Sequence, residues 1–120
     1  MGRNKMEIKD KNNILKNINT PGKISLELGC GNRKRHEDAV GIDILEYENV
    51  DIQGDVFEIL KKIPDNRIFA VYSYHFFEHI NDVSGLVQEL ARILVDGGLF
   101  LVVVPHFSNP YFYSDYTHLN

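Results

Sequence analysis

Ile24-Ser25-Leu26-Glu27-Leu28-Gly29-Cys30-Gly31 is the stretch whose reading decides the fold. A short apolar run ends abruptly in two glycines one residue apart, which reads as a strand running into a tight turn. Glycines at such a turn let the backbone bend sharply and approach a ligand where a Cβ would clash. Outward from it the same kind of unit recurs. Val40–Ile44 is a second apolar run, and Val50–Gln53, closed by Gly54, a third and shorter one. Phe57, Ile59, Leu60 and Ile63 give a short helix before Pro64-Asp65. Ile68–Tyr74 is β-branched and aromatic, hence a strand. Asn81 or Asp82 caps a helix whose apolar positions (Val83, Leu86, Val87, Leu90, Ile93, Leu94) recur at helical spacing, and Gly97-Gly98 ends it. Leu99–Val104 is six consecutive apolar residues, the mark of a strand covered on both faces. Strands alternating with helical segments imply an α/β fold. It would be a parallel sheet with right-handed crossovers. Ligands of such sheets bind beyond the carboxyl ends of the strands.

Composition agrees with one ordinary domain. The chain has 120 residues, 43% hydrophobic and 25% charged, with a formal net charge of −4. A domain of this size buries roughly two thirds of its unfolded surface, so disorder and low-complexity classes are excluded. The longest apolar stretch, Leu99–Val104, is far short of the roughly 20 residues that span a bilayer. The first twenty residues are polar and Lys/Asn-rich, unlike a signal peptide. A single cysteine excludes an internal disulfide and a Cys-cluster zinc site. These features point to the cytoplasm and away from a membrane. Charge is uneven: residues 1–20 carry five Lys/Arg against two acids, while the remainder carries eight against fifteen. The first 22 residues therefore read as a polar, helical arm, with Ile14, Leu15 and Ile18 as a small stripe able to dock. Residues 23–120 read as the ligand-binding domain. Its acidic balance argues against broad nucleic-acid binding.

The strand ends hold the chemistry. A third glycine of a dinucleotide fingerprint would fall at position 34, which is Lys34, so the pyrophosphate reading is weakened. Asp43 ends the second apolar run, twelve residues beyond Gly31, where a carboxylate can accept two hydrogen bonds from a ribose diol. Asp55 can accept from an exocyclic amine or cap the following helix. Ser73-Tyr74-His75-Phe76-Phe77-Glu78-His79 is the densest polar-aromatic cluster, and His75 in it is a candidate acid or base. Pro105-His106-Phe107 and the aromatic stretch on to Tyr116-Thr117-His118 read as the wall of a substrate pocket. His75, His106, His118 and Asp115 match no metal-ligand spacing, and no metal is expected.

Five pieces in order resemble the class I S-adenosylmethionine (SAM) dependent methyltransferases. They are Glu27-Leu28-Gly29-Cys30-Gly31, Val40-Gly41-Ile42-Asp43-Ile44, Gly54-Asp55-Val56, Tyr72 through Ile80, and Glu89 through Gly98. Asp115-Tyr116-Thr117-His118 is similar to a stretch of the small bacterial type 11 methyltransferases. The resemblance implies a Rossmann-like, doubly wound α/β fold, with about five parallel strands in this chain, and SAM as cofactor, with Glu27, Gly29, Cys30, Gly31 and Asn32 facing its methionine part. It implies Asp43 on the ribose, Ile44 packed on the adenine, Asp55 on the adenine amine with Val56 beside it, and Ser73 and Tyr74 lining the methionine side. His75, His118 and His106 would face the acceptor and supply a base, in that order of preference, for an acceptor that must lose a proton.

Two features depart from that family. Only eight residues, Asn32 to Ala39, separate Gly31 from Val40, so the first crossover helix is shortened or missing; Arg33 or Lys34 is then expected to meet the methionine carboxylate. The chain also ends at Asn120, before the two further strands that family members usually add. The domain then reads as C-terminally incomplete. Leu99–Val104 should in that case lie at a sheet edge, needing more chain or a second copy to cover it. The function expected is methyl transfer from SAM to an unidentified small molecule. The alternatives are a non-catalytic SAM- or nucleotide-binding module and a nicotinamide-dependent reductase.

Overall fold

The computed structural model describes residues 7–104 and the strand at 115–118. In chain order the elements are β1 (Lys9–Asp10), β2 (Ser25–Leu28), β3 (Val40–Asp43), β4 (Ile52–Gln53), α1 (Val56–Leu60), β5 (Ile68–Tyr74), a 3-10 turn (Phe77–His79), α2 (Val83–Ile93), β6 (Leu94–Val103) and β7 (Asp115–His118). They form one sheet in the order β1-β4-β3-β2-β5-β6-β7. The inner five strands are parallel, and β1 and β7 pair antiparallel at the two edges. The chain winds from β2 outward through β3 and β4, then returns to the other side of β2 with β5 and β6. The direction of winding therefore reverses between β2 and β5, and there the ends of adjacent strands leave a crevice.

Right-handed crossovers put the two helices on one face, since β4→β5 and β5→β6 run the same way across the sheet. Helix α1 touches α2, and Leu86, Leu90 and Ile93 of α2 are buried in one cluster with Ile59 and Leu60 of α1 and with Leu26, Leu28, Ile42 and Val71 of the sheet. Arg92 ties this layer together, its guanidinium donating to the carbonyls of Leu60 and Ile63 at 2.8 Å each and to Asp65 at 2.8 Å. The opposite face receives the β2→β3 and β3→β4 connections, neither of which contains a helix. No residue from 32 to 39 is helical, so the first crossover helix is missing rather than shortened.

Capping follows the expected chemistry. Asp55 Oδ1 accepts from Phe57 N (2.9 Å) and Glu58 N (3.2 Å), and Asp82 accepts from Gly85 N. The end of α2 differs from its expected place. The helix stops at Ile93, four residues before the glycines, because Leu94 turns extended and pairs with Ile68. Asn66 N and Arg67 N take the carbonyls of Arg92 and Ile93 at 2.9 and 2.7 Å. Gly97, at φ +78, lies in the irregular stretch from which β6 resumes its ladder at Ala70–Leu99.

The segment before β2 is built of turns, where a helix was expected, and it docks. Asp10 accepts from Ile14 N (2.9 Å) and Leu15 N (2.7 Å), which closes a turn after β1. Ile18 is buried, and Arg67 donates to the carbonyls of Ile18, Thr20 and Gly22 at 2.6, 2.6 and 3.0 Å. The expected open edge at Leu99–Val104 is also corrected. β7 pairs with β6 from Leu99↔His118 to Val102↔Asp115, so this chain itself covers that edge, and a second copy is not needed for it. Among the described residues no helix is long and apolar enough to cross a membrane.

Leu90→Ala is expected to cost about 2–5 kcal/mol, because the side chain is wholly buried where α2 meets the sheet. Urea unfolding of the two proteins measures it. A loss below about 1 kcal/mol would mean that the helical layer packs more loosely than described.

Candidate functional site

The turn after β2 is shaped by backbone geometry first. Gly29 and Gly31 sit at φ +65 and +62, the left-handed region that favours glycine. A Cβ on Gly29 would lie 2.5 Å from a ring carbon of Phe76, so the turn after β2 and the one after β5 touch through a position only glycine fits. Asp43 then fastens the turn after β2 to β3. One carboxylate oxygen accepts from Gly31 N at 2.7 Å and the other from Leu45 N at 2.9 Å. A carboxylate oxygen has two acceptor sites, so each oxygen keeps one for a ligand hydroxyl.

Beside Asp43 lies a cavity of about 270 Å³ lined by Ile42, Asp43, Ile44, Gly54, Asp55, Val56, Phe57, Phe76, His79 and Ile80. Its walls are largely apolar and its polar groups few. Ile44 is half exposed over it, at 51%. Asp55 uses Oδ1 to cap α1, which leaves Oδ2 outside the cap. The cap and an amine-accepting role are thus compatible on one side chain.

A second cavity, of about 550 Å³, is lined by Glu27, Gly29, Cys30, Arg33, Lys34, Arg35 and Tyr74. Glu27 is 2% exposed, and its carboxylate is committed: Arg35 N donates to both oxygens at 3.0 and 3.1 Å, and His36 N to one at 2.9 Å. These bonds brace the loop from a side chain that also lines the cavity. Lys34, one of the two cations expected to meet a carboxylate, is instead paired with Asp51 at 2.9 Å. Arg33 is exposed at the rim. Tyr74 forms one wall, its hydroxyl 2.7 Å from His36 Nε2, with Arg35 over its ring at 4.5 Å. Burial raises the Tyr74 hydroxyl above the usual phenol range, with Glu27 adding to the effect, so it stays protonated at neutral pH. Burial also pushes the Cys30 thiol up to about 12, with Asp43 and Glu27 adding to it. Cys30 is therefore a wall, not a nucleophile.

Other expected residues are placed differently. Ser73 is fully buried within the sheet, level with Leu28 and Val102, with no partner for its hydroxyl among the described residues. It does not line the crevice, because strand alternation sends Ser73 and Tyr74 to opposite faces. Asn32 is exposed in the turn. His75 follows β5 in the left-handed region at φ +56, is exposed, and donates its backbone N–H to Val103 O at 2.7 Å. His118 pairs with Leu99, level with Ala70, four residues and about 13 Å of strand back from Tyr74. That register removes it from the group at the strand ends. His106 lies outside the described residues. The sequence reading missed Arg35, His36, Tyr72 and Phe76. The His36 ring stacks on Tyr72 at 3.6 Å, and no periodicity marks such a contact between a loop and a strand face.

Residues 26–102 match a family model described as a methyltransferase domain. A probable S-adenosylmethionine-dependent methyltransferase of Mycolicibacterium smegmatis is 30% identical over 102 residues, 71% of this chain and 39% of that protein. Among solved structures, a SAM-dependent methyltransferase from Archaeoglobus fulgidus superposes with a TM-score of 0.66 at 22% identity, covering 74% of this chain and 48% of that one. A putative type 11 methyltransferase from Sulfolobus solfataricus gives 0.54 at 24% identity, covering 88% and 68%. The chain thus spans about two fifths of the M. smegmatis protein and about half of the A. fulgidus one.

The raised Cys30 thiol sets a test. A shift from 9.0 to about 12 cuts the thiolate fraction roughly a thousandfold at pH 8, so iodoacetamide should alkylate the folded protein about that much more slowly than the urea-unfolded chain. Equal labelling rates followed by mass spectrometry would contradict the packing around Cys30.

Proposed function

The chain belongs to the methyltransferase-domain family of class I SAM-dependent enzymes, and on that premise we propose that it transfers a methyl group from SAM to a small-molecule acceptor. The observation that carries this reading is the pair of carboxylates at one apolar cavity. Asp43 is locked by two backbone N–H bonds with acceptor sites to spare, and Asp55 stands across the cavity with Oδ2 outside its cap. That donor set fits a nucleoside: a diol, a flat apolar ring and an exocyclic amine.

SAM, when bound, supplies a methyl group on a sulfonium that is already a good leaving group. What remains for the protein is alignment, a proximity effect. Asp43 would hold the ribose hydroxyls, Asp55 the adenine amine, and Ile44 and Val56 the ring. The turn at Gly29, Cys30 and Gly31 would face the methionine half, with Tyr74 as its far wall. Residues 23–120 form the cofactor-binding unit in this proposal. An acceptor that loses a proton needs a base at the crevice, and His75, at the end of β5, is the residue we assign to it. One buried cysteine suits a reducing compartment, and the cytoplasm is the setting we infer.

Calorimetry with S-adenosylhomocysteine tests the binding half. Asp43→Ala should weaken binding at least about tenfold, since it removes hydrogen bonds to a charged acceptor. Circular dichroism would check that the fold survives. Undiminished affinity in a folded Asp43→Ala protein would sink the assignment. Transfer from radiolabelled SAM to a small-metabolite pool tests the other half, and binding without transfer to any acceptor would leave a SAM-binding module. His75→Ala should keep the S-adenosylhomocysteine affinity and lose most of the transfer rate. Unchanged transfer would remove His75 as the base.

A further inference from the structure

The β2→β3 connection poses a physical problem. In a sheet of this kind a crossover helix aims its N-terminus, with its unpaired N–H groups and partial positive charge, at the ligand beyond the first strand. Residues 32–39 contain no helix, so that source of positive potential is lacking. The loop is nevertheless firmly held. Glu27, inside the sheet and 2% exposed, takes three backbone N–H bonds from Arg35 and His36. The His36 ring is then sandwiched into place, 3.6 Å from the Tyr72 ring with its Nε2 2.7 Å from the Tyr74 hydroxyl. This bracing sets the Arg35 guanidinium over the Tyr74 ring, 4.5 Å from its centre, on the wall of the larger cavity.

We propose that Arg35 reads the amino-acid end of the cofactor by receiving its carboxylate, and that Glu27 is a positioning residue that holds Arg35 there in place of the missing helix. The inference rests on the cofactor reading above and adds to it a specificity for the methionine half. Of the three cations on the cavity wall, Lys34 is spent on Asp51. Arg33 and Arg35 are both exposed; Arg33 has no brace among the described residues, whereas Arg35 is anchored at its backbone and its guanidinium lies over the Tyr74 ring. A guanidinium is planar and presents paired N–H groups, which is the geometry a carboxylate takes in a two-point contact. The cavity is also polarised in the right sense. The uncompensated cations, Arg33 and Arg35, lie on the loop side, while Asp43 and Asp55 lie at the smaller cavity.

Calorimetry with two probes decides this. S-adenosylhomocysteine carries the amino-acid half, and 5′-methylthioadenosine keeps the nucleoside and lacks it. Arg35→Ala should weaken S-adenosylhomocysteine about ten- to hundredfold, the range for a charge-assisted contact, and leave methylthioadenosine within about twofold. Arg35→Lys should recover part of the loss, because it restores charge without the planar fork. Glu27→Gln should also weaken S-adenosylhomocysteine selectively. In the Arg35→Ala background it should cost little more, since it acts through Arg35. If Glu27→Gln does not fold, Glu27→Asp replaces it in the cycle. Equal affinity of the wild type and Arg35→Ala for S-adenosylhomocysteine, or equal losses for both probes, would overturn the role of Arg35. A larger loss from Arg33→Ala than from Arg35→Ala would overturn it as well. Additive losses in the double variant would overturn the positioning role of Glu27. A wild type that binds neither probe would defeat the cofactor reading and this inference with it, whereas one that binds both alike defeats the inference alone.

Discussion

The Glu27 carboxylate, taken out of water at the centre of a parallel sheet, is the constraint on which the crevice depends. A buried carboxylate without partners is strongly unfavourable. Here two backbone N–H groups, making three hydrogen bonds, offset that cost, and both come from a loop eight residues further on. The bond network therefore runs in both directions: the loop supplies the buried Glu27 carboxylate with hydrogen bonds, and Glu27 gives the loop a fixed shape without a helix. Removing the carboxylate would leave the Arg35 and His36 N–H groups without these partners, and the loop would lose its reason to lie across Tyr72 and Tyr74.

Glu27 can do this because of where β2 sits. It is the third parallel strand of five, flanked by β3 and β5, and the winding reverses beside it. Leu26 and Leu28 face the helical layer, so Glu27 between them faces the other side, where only loops arrive. The apolar neighbours anchor the strand against α1 and α2, and the acidic one organises the ligand side. One four-residue strand thus joins the packing of the core to the shape of the site.

Much of this was legible in the sequence, and the limits have physical causes. The five parallel strands could be read because buried strands are continuous apolar runs, and Ile68–Tyr74 was located to the residue. The positions of Asp43 and Asp55 followed from strand ends, which topology places in one row. The end of α2 was misjudged because Gly97-Gly98 is a local stop signal, while the stop itself is a tertiary event, the capture of Leu94 by Ile68. The edge strand at 115–118 reads as a loop in sequence, since Asp-Tyr-Thr-His has polar ends and no apolar alternation, and only pairing with β6 makes it a strand. The bracing of the loop by Glu27 was not legible, because its bonds come from backbone N–H groups, which have no sequence signature.

The site's two halves differ in how they are made rigid, and that difference tracks the groups each would hold. At the smaller cavity the polar atoms are carboxylates fixed by backbone donors of the turns that follow β2, β3 and β4, so Asp43 and Asp55 are set by the strand ends and the helix start themselves. The larger cavity depends on longer reach. Arg35 is placed through Glu27, His36, Tyr72 and Tyr74, residues of a loop and of two adjacent strands that must all be assembled first. In a chain with no helix between β2 and β3, a nucleoside-shaped cavity is the part the sheet provides directly, and the cationic wall is the part that packed aromatic rings must supply. The same sheet can therefore keep the first while the second changes with the residues of one eight-residue loop.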